Sequence, residues 1–418
     1  MTPTLLFAIA FTMAVAANLI TRVWLARRQV AFVTAHQNAV PADFSDRISL
    51  ADHRKAADYT QTNLRYSLLV LVIETLLLLV LTFGGLLQAI DSFWLAQLGA
   101  NSPIQGLALI VSLVCIGWII DLPFSVYRQF VIEARFGFNK MTPKLFIWDL
   151  VRQTLLAAAL GLPILYAVLW LMSAMGDLWW LYVWLFWLTL NLLIMFIYPT
   201  WIAPLFNKFT PLPEGDLRTR VENLLTRSGF KAAGLFVMDG SKRSSHGNAY
   251  FTGFGKAKRI VFFDTLIEKL NPAEIEAVLA HELGHFKKHH IWKRIAVLAV
   301  MSLVLLWGLG QIMHQDWFYH GVGVDRASIA MALILFAQVL PVFFFPISPL
   351  FAKLSRNHEF EADAYAAQQT NGGDLISALV NLYRDNAATL TTDPLYSAFY
   401  DSHPPASLRI ARLRGASA

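Results

Sequence analysis

Seven runs of about 20 mostly apolar residues constrain the fold of this chain more than any other feature, because an α-helix of that length crosses the hydrocarbon core of a bilayer. Of the 418 residues, 56% are hydrophobic and 15% are charged, which is too apolar for a soluble protein of this size. We therefore predict an integral membrane protein with seven transmembrane helices. The runs lie near residues 4–25, 66–90, 104–126, 152–175, 178–200, 293–313 and 328–350.

Basic residues are distributed unevenly between these runs, which predicts their orientation. Lys and Arg are enriched in cytoplasmic connections, and here they concentrate after the first and third runs. The connections with few or none are 91–103, 174–177 and 314–327. We expect the amino terminus outside, and the polar region 201–292 and the tail from Lys353 in the cytoplasm. The first run precedes several arginines without a small-residue cleavage pattern, so we expect a retained span and not a signal peptide.

The net charge of +6 and the sequence pI near 9.3 do not indicate a nucleic-acid partner. The basic residues flank apolar runs and form no separate basic domain, so the charge of the membrane surface explains them better. The single cysteine, Cys115, lies in an apolar run. A disulfide framework and a cysteine metal site are therefore excluded, and we expect Cys115 to serve packing.

The segment from His281 to His285 (HELGH) is the pattern that carries chemistry. On a helix, histidines four residues apart share one face and can hold one zinc, and Glu282 is placed to take a proton from metal-activated water. Asn271 as cap and Pro272 at the first helical position predict where that helix begins. The pattern also occurs by chance in helices that bind nothing, so further ligands are needed to support it.

A catalytic zinc usually takes three protein ligands and leaves a fourth position open. Just after the last apolar run, Glu359 and Asp363 are four residues apart and would share a helical face, with Glu361 pointing away. One carboxylate could bind zinc while the other accepts a hydrogen bond from a ligand histidine. The alternative is a solvated acidic stretch that pairs with Arg356.

Two predicted strands precede the zinc helix, at Tyr250–Gly255 and Arg259–Asp264. An edge strand binds an extended peptide through backbone hydrogen bonds, although a hairpin that only supports the helix is the alternative. We assign no role to His246, and we expect His289 and His290 to be interfacial.

Glu74 and Asp121 lie within otherwise apolar runs, where a charge facing lipid costs at least about 2.5 kcal/mol. Both should therefore face protein or water. A water-filled chamber and helix-to-helix hydrogen bonds would satisfy them equally well.

Taken together, these segments resemble the type I CAAX prenyl proteases, which are integral-membrane zinc metallopeptidases, over nearly the whole chain. The segments that carry the resemblance are Glu133–Lys140 (EARFGFNK), Pro199–Asn207 (PTWIAPLFN), Ser241–Phe251 (SKRSSHGNAYF), HELGH, Glu359–Asp363 (EFEAD) and Ser402–Pro405 (SHPP).

The resemblance implies a mainly α polytopic fold, in which seven transmembrane helices enclose a chamber capped by a cytoplasmic zincin-like (gluzincin) α+β metallopeptidase domain. It implies one Zn²⁺ per chain, with Asp363 as the carboxylate behind the ligands. His403 matches a histidine that stabilises the oxyanion, and Asn248 matches a substrate-contacting residue ahead of an edge strand. The implied ligands are His281, His285 and Glu359.

We expect the chain to divide into four segments. They are helices 1–5 with their connections in 1–200, the first part of the metallopeptidase domain in 201–292, helices 6 and 7 in 293–352, and the rest of that domain with the third ligand in 353–418.

The expected function is zinc-dependent cleavage of peptide bonds, and the resemblance implies removal of the carboxyl-terminal tripeptide from prenylated CAAX proteins. One alternative is a membrane quality-control metalloprotease with no prenyl requirement. Another is a transporter or scaffold with structural zinc, although no further Cys or His at ligand spacing is present to close the site.

The expected partners are a peptide or protein substrate, with or without a prenyl group, and the lipid bilayer. We expect a monomer. Short loops and the lack of a retention signal favour a bacterial inner membrane with the active site facing the cytoplasm, or the endoplasmic reticulum if the organism is eukaryotic.

Overall fold

The computed structural model describes residues 1–100, 103–252 and 258–416, and within them seven helical segments are long and apolar enough to cross a membrane. The prediction of seven spans is confirmed. The segments are Pro3–His36, Leu50–Leu81, Pro103–Arg135, Pro143–Ala174, Gly176–Leu205, His290–Ile312 and Ile329–Gln369.

The α-helices of the described residues are numbered in chain order. They are α1 Pro3–His36, α2 Leu50–Leu81, α3 Leu86–Leu98, α4 Pro103–Tyr127, α5 Glu133–Arg135, α6 Pro143–Ala174, α7 Trp179–Ile197, α8 Asp216–Arg227, α9 Asp264–Lys269, α10 Pro272–Lys287, α11 His290–Ile312, α12 Asp316–His320, α13 Ile329–Phe344, α14 Ser348–Gln369, α15 Gly372–Asp385, α16 Pro394–Tyr400 and α17 Ala406–Ala416. The strands are β1 Phe209–Pro211, β2 Gly234–Met238, β3 Ala249–Thr252 and β4 Arg259–Phe263.

The second span differs from its predicted bounds of 66–90. Helix α2 begins at Leu50, where the Ser49 hydroxyl accepts a hydrogen bond from the Asp52 amide at 3.1 Å, and it ends at Leu81. The helix ends because Thr82 leaves helical geometry, with ψ −94°, and Gly85, with a left-handed φ of 73°, is the residue before α3. The apolar residues that follow belong to the separate helix α3.

The seven spans form the membrane half of the molecule. This half is held together by a core of fully buried side chains from several helices. Phe11 of α1, Leu109 of α4, Leu309 of α11 and Met331 of α13 belong to this one cluster. Burying apolar area of this extent is the main favourable term in packing these helices within the protein. Many other large apolar side chains of the same helices are exposed, as a lipid-facing surface requires.

Glu74 and Asp121 both line one cavity in this half, with a volume of about 440 Å³. Asn18, Arg22 and Gln338 supply further polar groups to the same cavity. The two carboxyl groups therefore face a polar space inside the protein. This arrangement favours the chamber over direct helix-to-helix hydrogen bonding as the account of their placement.

The second half of the molecule contains a four-stranded sheet in the order β1-β2-β4-β3. The β2–β4 pair is parallel, whereas β1–β2 and β3–β4 are antiparallel. The predicted pair of strands is confirmed as β3 and β4, although residues 253–257 between them lie outside the described residues. Since β3 is last in the order, its outer edge is unpaired within the described sheet.

Helix α10 begins where the sequence predicts. Asn271 and Glu274 form a reciprocal capping box, with two side chain-to-backbone hydrogen bonds of 3.0 Å each, and Pro272 occupies the first turn. These contacts satisfy amide groups that a helix start leaves without partners. The beginning of the helix that carries HELGH is therefore fixed.

The basic connections and the sheet-containing half lie at the same end of the molecule. Phe44 and Ile48, which follow α1, pack with Val380 and Ile410 in one cluster. At the other end, Arg326 donates two hydrogen bonds of 2.7 Å to the buried Asp91. The connections poor in Lys and Arg therefore meet at the end opposite the sheet-containing half.

Candidate metal centre and active site

Three sequence-predicted ligands converge between α10 and α14. The ligand atoms of His281, His285 and Glu359 all lie within 4.8 Å of one another. The two histidine Nε2 atoms are 3.3 Å apart, and each lies 3.3–3.4 Å from a Glu359 carboxylate oxygen. Two imidazole nitrogens and one carboxylate oxygen form one of the donor sets that catalytic zinc sites use.

Close approach of two helices makes this convergence possible. A Cβ atom at Gly284 would lie 2.8 Å from Cα and 3.0 Å from the carbonyl oxygen of Ala362 on α14. Only glycine allows the backbones of α10 and α14 to approach to this distance. The glycine within HELGH therefore places the carboxylate of Glu359 beside the two histidines.

The outer side of His281 is held by a buried ion pair. Its Nδ1 lies 2.8 Å from Asp363 Oδ1, and Arg409 donates two hydrogen bonds of 2.8 and 2.6 Å to the same carboxylate. Burial lowers the pKa of His281, but hydrogen bonds to Asp363 and Glu359 outweigh it and raise the pKa to about 9. The surroundings thus stabilise positive charge at this point, as they would a bound cation.

The alternative of a solvated acidic stretch is wrong for both carboxylates. Glu359 and Asp363 are 4% and 3% exposed. Arg356, the expected partner in that alternative, instead donates to the backbone carbonyls of Ser397 and Asp401 at 3.0 and 2.8 Å. Glu361 does point away from the centre, as predicted.

The prediction that His290 is interfacial is wrong. His290 is 2% exposed, and its Nδ1 lies 3.0 Å from Nδ1 of His285. Its Nε2 lies 3.0 Å from Glu361 Oε2, and its ring stacks on His358 at 4.0 Å. By contrast, the adjacent His289 is exposed.

Glu282 lines a cleft of about 340 Å³ together with the proposed ligand His281. Burial raises its pKa above the ordinary glutamate value, against the lowering effect of the neighbouring His281 and His285. A carboxyl group with a raised pKa both accepts and returns a proton more readily near neutral pH. The apolar wall of the cleft is formed by Leu266, Val278, Leu375, Leu379 and Leu382.

The other two predicted site residues border the same cleft. Asn248 is exposed and directly precedes the edge strand β3, and its Oδ1 accepts a hydrogen bond from the Ala249 amide at 2.8 Å. His403 is exposed, and its Nε2 lies 3.4 Å from Glu359 Oε1. Both side chains therefore border the cleft that Glu282 lines.

His246 does not join the ligand group. Its Nδ1 is 3.2 Å from Asn386 Oδ1, its Nε2 is 3.7 Å from Glu133 Oε2, and its ring stacks on Phe138. These contacts connect the loop before β3 to the membrane half. Arg409 and His290 are the residues near the centre that the sequence did not predict.

The residues present fit a metal ion by a test internal to the structure. Glu359 Oε2 is a buried oxygen without a hydrogen-bond partner, and buried polar atoms are normally paired. It lies 3.4 Å from His281 Nε2, and the other carboxylate oxygen, Oε1, lies 3.3 Å from His285 Nε2. A cation between the three donors would satisfy all of them.

Comparisons with known proteins show which family the chain resembles in sequence and in fold. A family model described as the CAAX prenyl protease amino-terminal region of five membrane helices matches residues 29–208, and the model of peptidase family M48 matches residues 211–417. The CAAX prenyl protease 1 homologue of Arabidopsis thaliana is 41% identical over 316 residues, covering 75% of this chain and 74% of that protein. CAAX prenyl protease 1 of Saccharomyces cerevisiae is 34% identical over 404 residues, covering 90% and 89%. The crystal structure of Ste24p from S. mikatae superposes with a TM-score of 0.91 at 32% identity, covering 97% of this chain and 99% of that one.

Proposed function

The chain belongs to peptidase family M48, among the CAAX prenyl protease 1 homologues, and from that premise we propose that this membrane metalloprotease holds one zinc ion at His281, His285 and Glu359. The observation that carries the proposal is the convergence of these three side chains, with Glu282 in a cleft that the edge strand β3 borders. A quality-control protease without a prenyl requirement is the less favoured alternative.

Each residue then has a part in hydrolysis. When bound, zinc would polarise the scissile carbonyl and lower the pKa of water from about 15.7 toward about 7. Glu282 takes the proton and returns it to the leaving amine. His403 donates to the oxyanion, a contact whose removal commonly lowers turnover about 100-fold or more.

The remaining site residues position these groups. Asp363 accepts the Nδ1 proton of His281, which leaves Nε2 free to face the centre. Asn248 and the unpaired edge of β3 align the peptide through hydrogen bonds. The aliphatic wall of the cleft suits the aliphatic residues of a CAAX sequence.

We propose a prenylated CAAX peptide or protein as the substrate, because the relatives are named for that activity. Helix α11 begins three residues after α10 ends, so the metal centre lies next to the membrane. A prenyl chain could stay in the membrane half while the peptide reaches the cleft. Without this location, a lipidated cysteine would have to leave its apolar surroundings to be cleaved.

The active-site end is proposed to face the cytoplasm, since the Lys- and Arg-rich connections pack at that end. Short connections favour a bacterial inner membrane over the endoplasmic reticulum. One chain supplies every proposed site residue, so we propose that a monomer is active.

Purified protein assayed with a farnesylated CAAX peptide and its unlipidated twin tests the substrate. We expect release of the carboxyl-terminal tripeptide, with a higher kcat/KM for the farnesylated peptide. Equal values would leave a general membrane peptidase. If neither peptide is cleaved by zinc-loaded protein, the proposed activity is wrong.

Glu282→Gln tests the mechanism. The substitution keeps the size of the side chain but removes the proton acceptor, so we expect normal zinc content and a loss of kcat of about 100-fold to 10,000-fold. Glu268→Gln, on the exposed side of α9, is the matched control and should keep full activity. Near-normal turnover in Glu282→Gln would exclude this residue as the base.

A further inference from the structure

We propose that His290 and Glu361 are positioning residues for the metal ligand His285, acting through a chain of two hydrogen bonds. His285 Nδ1 lies 3.0 Å from His290 Nδ1, and His290 Nε2 lies 3.0 Å from Glu361 Oε2. The inference rests on the proposed function, because it takes His285 Nε2 as a ligand atom.

Metal ligation fixes the direction of both hydrogen bonds. A neutral imidazole carries one proton, so if Nε2 of His285 is a ligand atom the proton must be on Nδ1. That proton is donated to Nδ1 of His290, which must then be unprotonated. The proton of His290 therefore lies on Nε2 and is donated to the Glu361 carboxylate.

A break between two helices brings His290 back onto His285. In one continuous helix, residues five apart point about 140° away from each other. Here His289 adopts a left-handed backbone with φ 57°, ending α10 and starting α11 in a new direction. His290 is then held in place by stacking on His358 at 4.0 Å, with 13° between the rings.

The two ligand histidines are thus held by different outer partners. His281 contacts a carboxylate directly, and that carboxylate is neutralised by Arg409. His285 contacts a neutral imidazole, and its carboxylate lies one residue further out, with Lys293 at 3.8 Å. Each arrangement holds one tautomer, and outer partners of this type are typically worth 10-fold to 100-fold in metal affinity.

Zinc affinity, measured by competition with a chromogenic chelator in detergent, tests the proposal. His290→Phe keeps the ring and its stacking on His358 but offers no acceptor to His285, so we expect zinc affinity to fall about 10-fold to 100-fold. His290→Asn can place an amide oxygen near the position of Nδ1 and should recover most of that loss. The absorption spectrum of Co²⁺-loaded protein should change in His290→Phe and return toward wild type in His290→Asn.

The matched control is His289→Asn, because His289 is exposed and asparagine tolerates its left-handed backbone. We expect wild-type affinity for this variant. Wild-type affinity in His290→Phe, or equal losses in His290→Phe and His290→Asn, would overturn the proposal in favour of packing alone.

If His290→Phe does not fold, the half-exposed Glu361 carries the test. Glu361→Ala should weaken zinc binding several-fold, because His290 Nε2–H loses its acceptor, and unchanged affinity would refute the chain of hydrogen bonds. Failure of the wild-type protein to bind zinc at all would instead refute the proposed function, so the two failures are distinguishable.

Discussion

At the scale of single residues, Arg409 balances the charge around the proposed metal centre. It is 6% exposed, donates twice to Asp363, and lies 3.9 Å from Glu359. Two carboxylates buried this deeply are costly unless they are paired. The guanidinium group therefore supports both the orientation of His281 and the ionised state of its neighbours.

Arg409→Met should lower the melting temperature markedly, because removing one partner of a buried ion pair costs about 3–5 kcal/mol. We expect a larger drop in protein treated with chelator than in zinc-loaded protein, since a bound cation would compensate part of the lost charge. Thermal unfolding in detergent, followed by intrinsic fluorescence, provides the measurement.

The exposed Arg412 on the same helix is the control for this experiment. Arg412→Met loses a cation–π contact with Phe360 and should shift the melting temperature little, because Arg412 is exposed. Equal shifts for the two variants would mean that the pairing of Arg409 contributes nothing particular to stability.

Sequence spacing predicted the residues on α10 and α14 but not the outer partners. His281, His285, Glu359 and Asp363 are detectable because residues four apart share a helical face. His290 could not be found in this way, since its contact depends on a helix break at a non-glycine residue. Arg409 could not be found either, because it lies on α17 and no spacing rule connects it to His281 on α10.

At the scale of elements, the contact between α10 and α14 determines the site. Ala362 and Ala366 are fully buried along it, and Gly284 provides the space in which the two backbones meet. Packing this close leaves no room for an added methyl group without a shift of one helix. The distance between the histidines and Glu359 therefore depends on residue size at one position.

Gly284→Ala should move α14 away from α10, because its Cβ would lie 2.8 Å from a backbone atom. Overpacking of this type costs about 1–3 kcal/mol. We expect a lower melting temperature and weaker zinc binding together, measured by thermal unfolding and chelator competition.

Gly308→Ala is the matched comparison, since a Cβ at that position on α11 meets nothing within 4 Å. Alanine also favours a helix over glycine by up to about 1 kcal/mol, so this variant should keep or gain stability. If Gly284→Ala behaves like Gly308→Ala, the close contact does not determine the site.

The sequence predicted helices and strands well where capping and periodicity agree. It predicted them poorly where the backbone conformation of one residue determines where a helix ends. The capping box at Asn271 marked the start of α10, and the strand pair before it formed as β3 and β4. The end of α2 was misplaced because the apolar run continues through residues 82–85, where the backbone leaves helical geometry at Thr82. Hydropathy alone cannot distinguish one long helix from two that meet at a turn.

At the scale of the whole molecule, direct polar contacts join the membrane half to the metallopeptidase half. Arg243 donates to the buried Asp149 of α6 at 2.8 and 3.0 Å, and to the carbonyl of Phe206 at 2.7 Å. Arg28 of α1 forms an ion pair with Asp393 at 2.8 Å. None of these contacts includes a proposed zinc ligand.

Each half also has an apolar core of its own. The core around Phe262, Leu279 and Leu283 is separate from the membrane cluster, and both consist of side chains distant in sequence. We therefore expect this fold to form without a metal ion. Zinc in this protein should therefore serve catalysis, in contrast to zinc in a structural site that closes a small domain.

Removal of zinc should accordingly abolish peptide cleavage while the helical circular dichroism stays unchanged. The free energy of unfolding should fall only by what ligand linkage allows, which is about 2.7 kcal/mol when free zinc is 100-fold above its Kd, and the melting temperature should fall accordingly. Adding zinc back should restore both activity and melting temperature. Loss of helical signal on chelation would contradict this expectation, because it would show that the ion holds the fold together, as in the scaffold alternative.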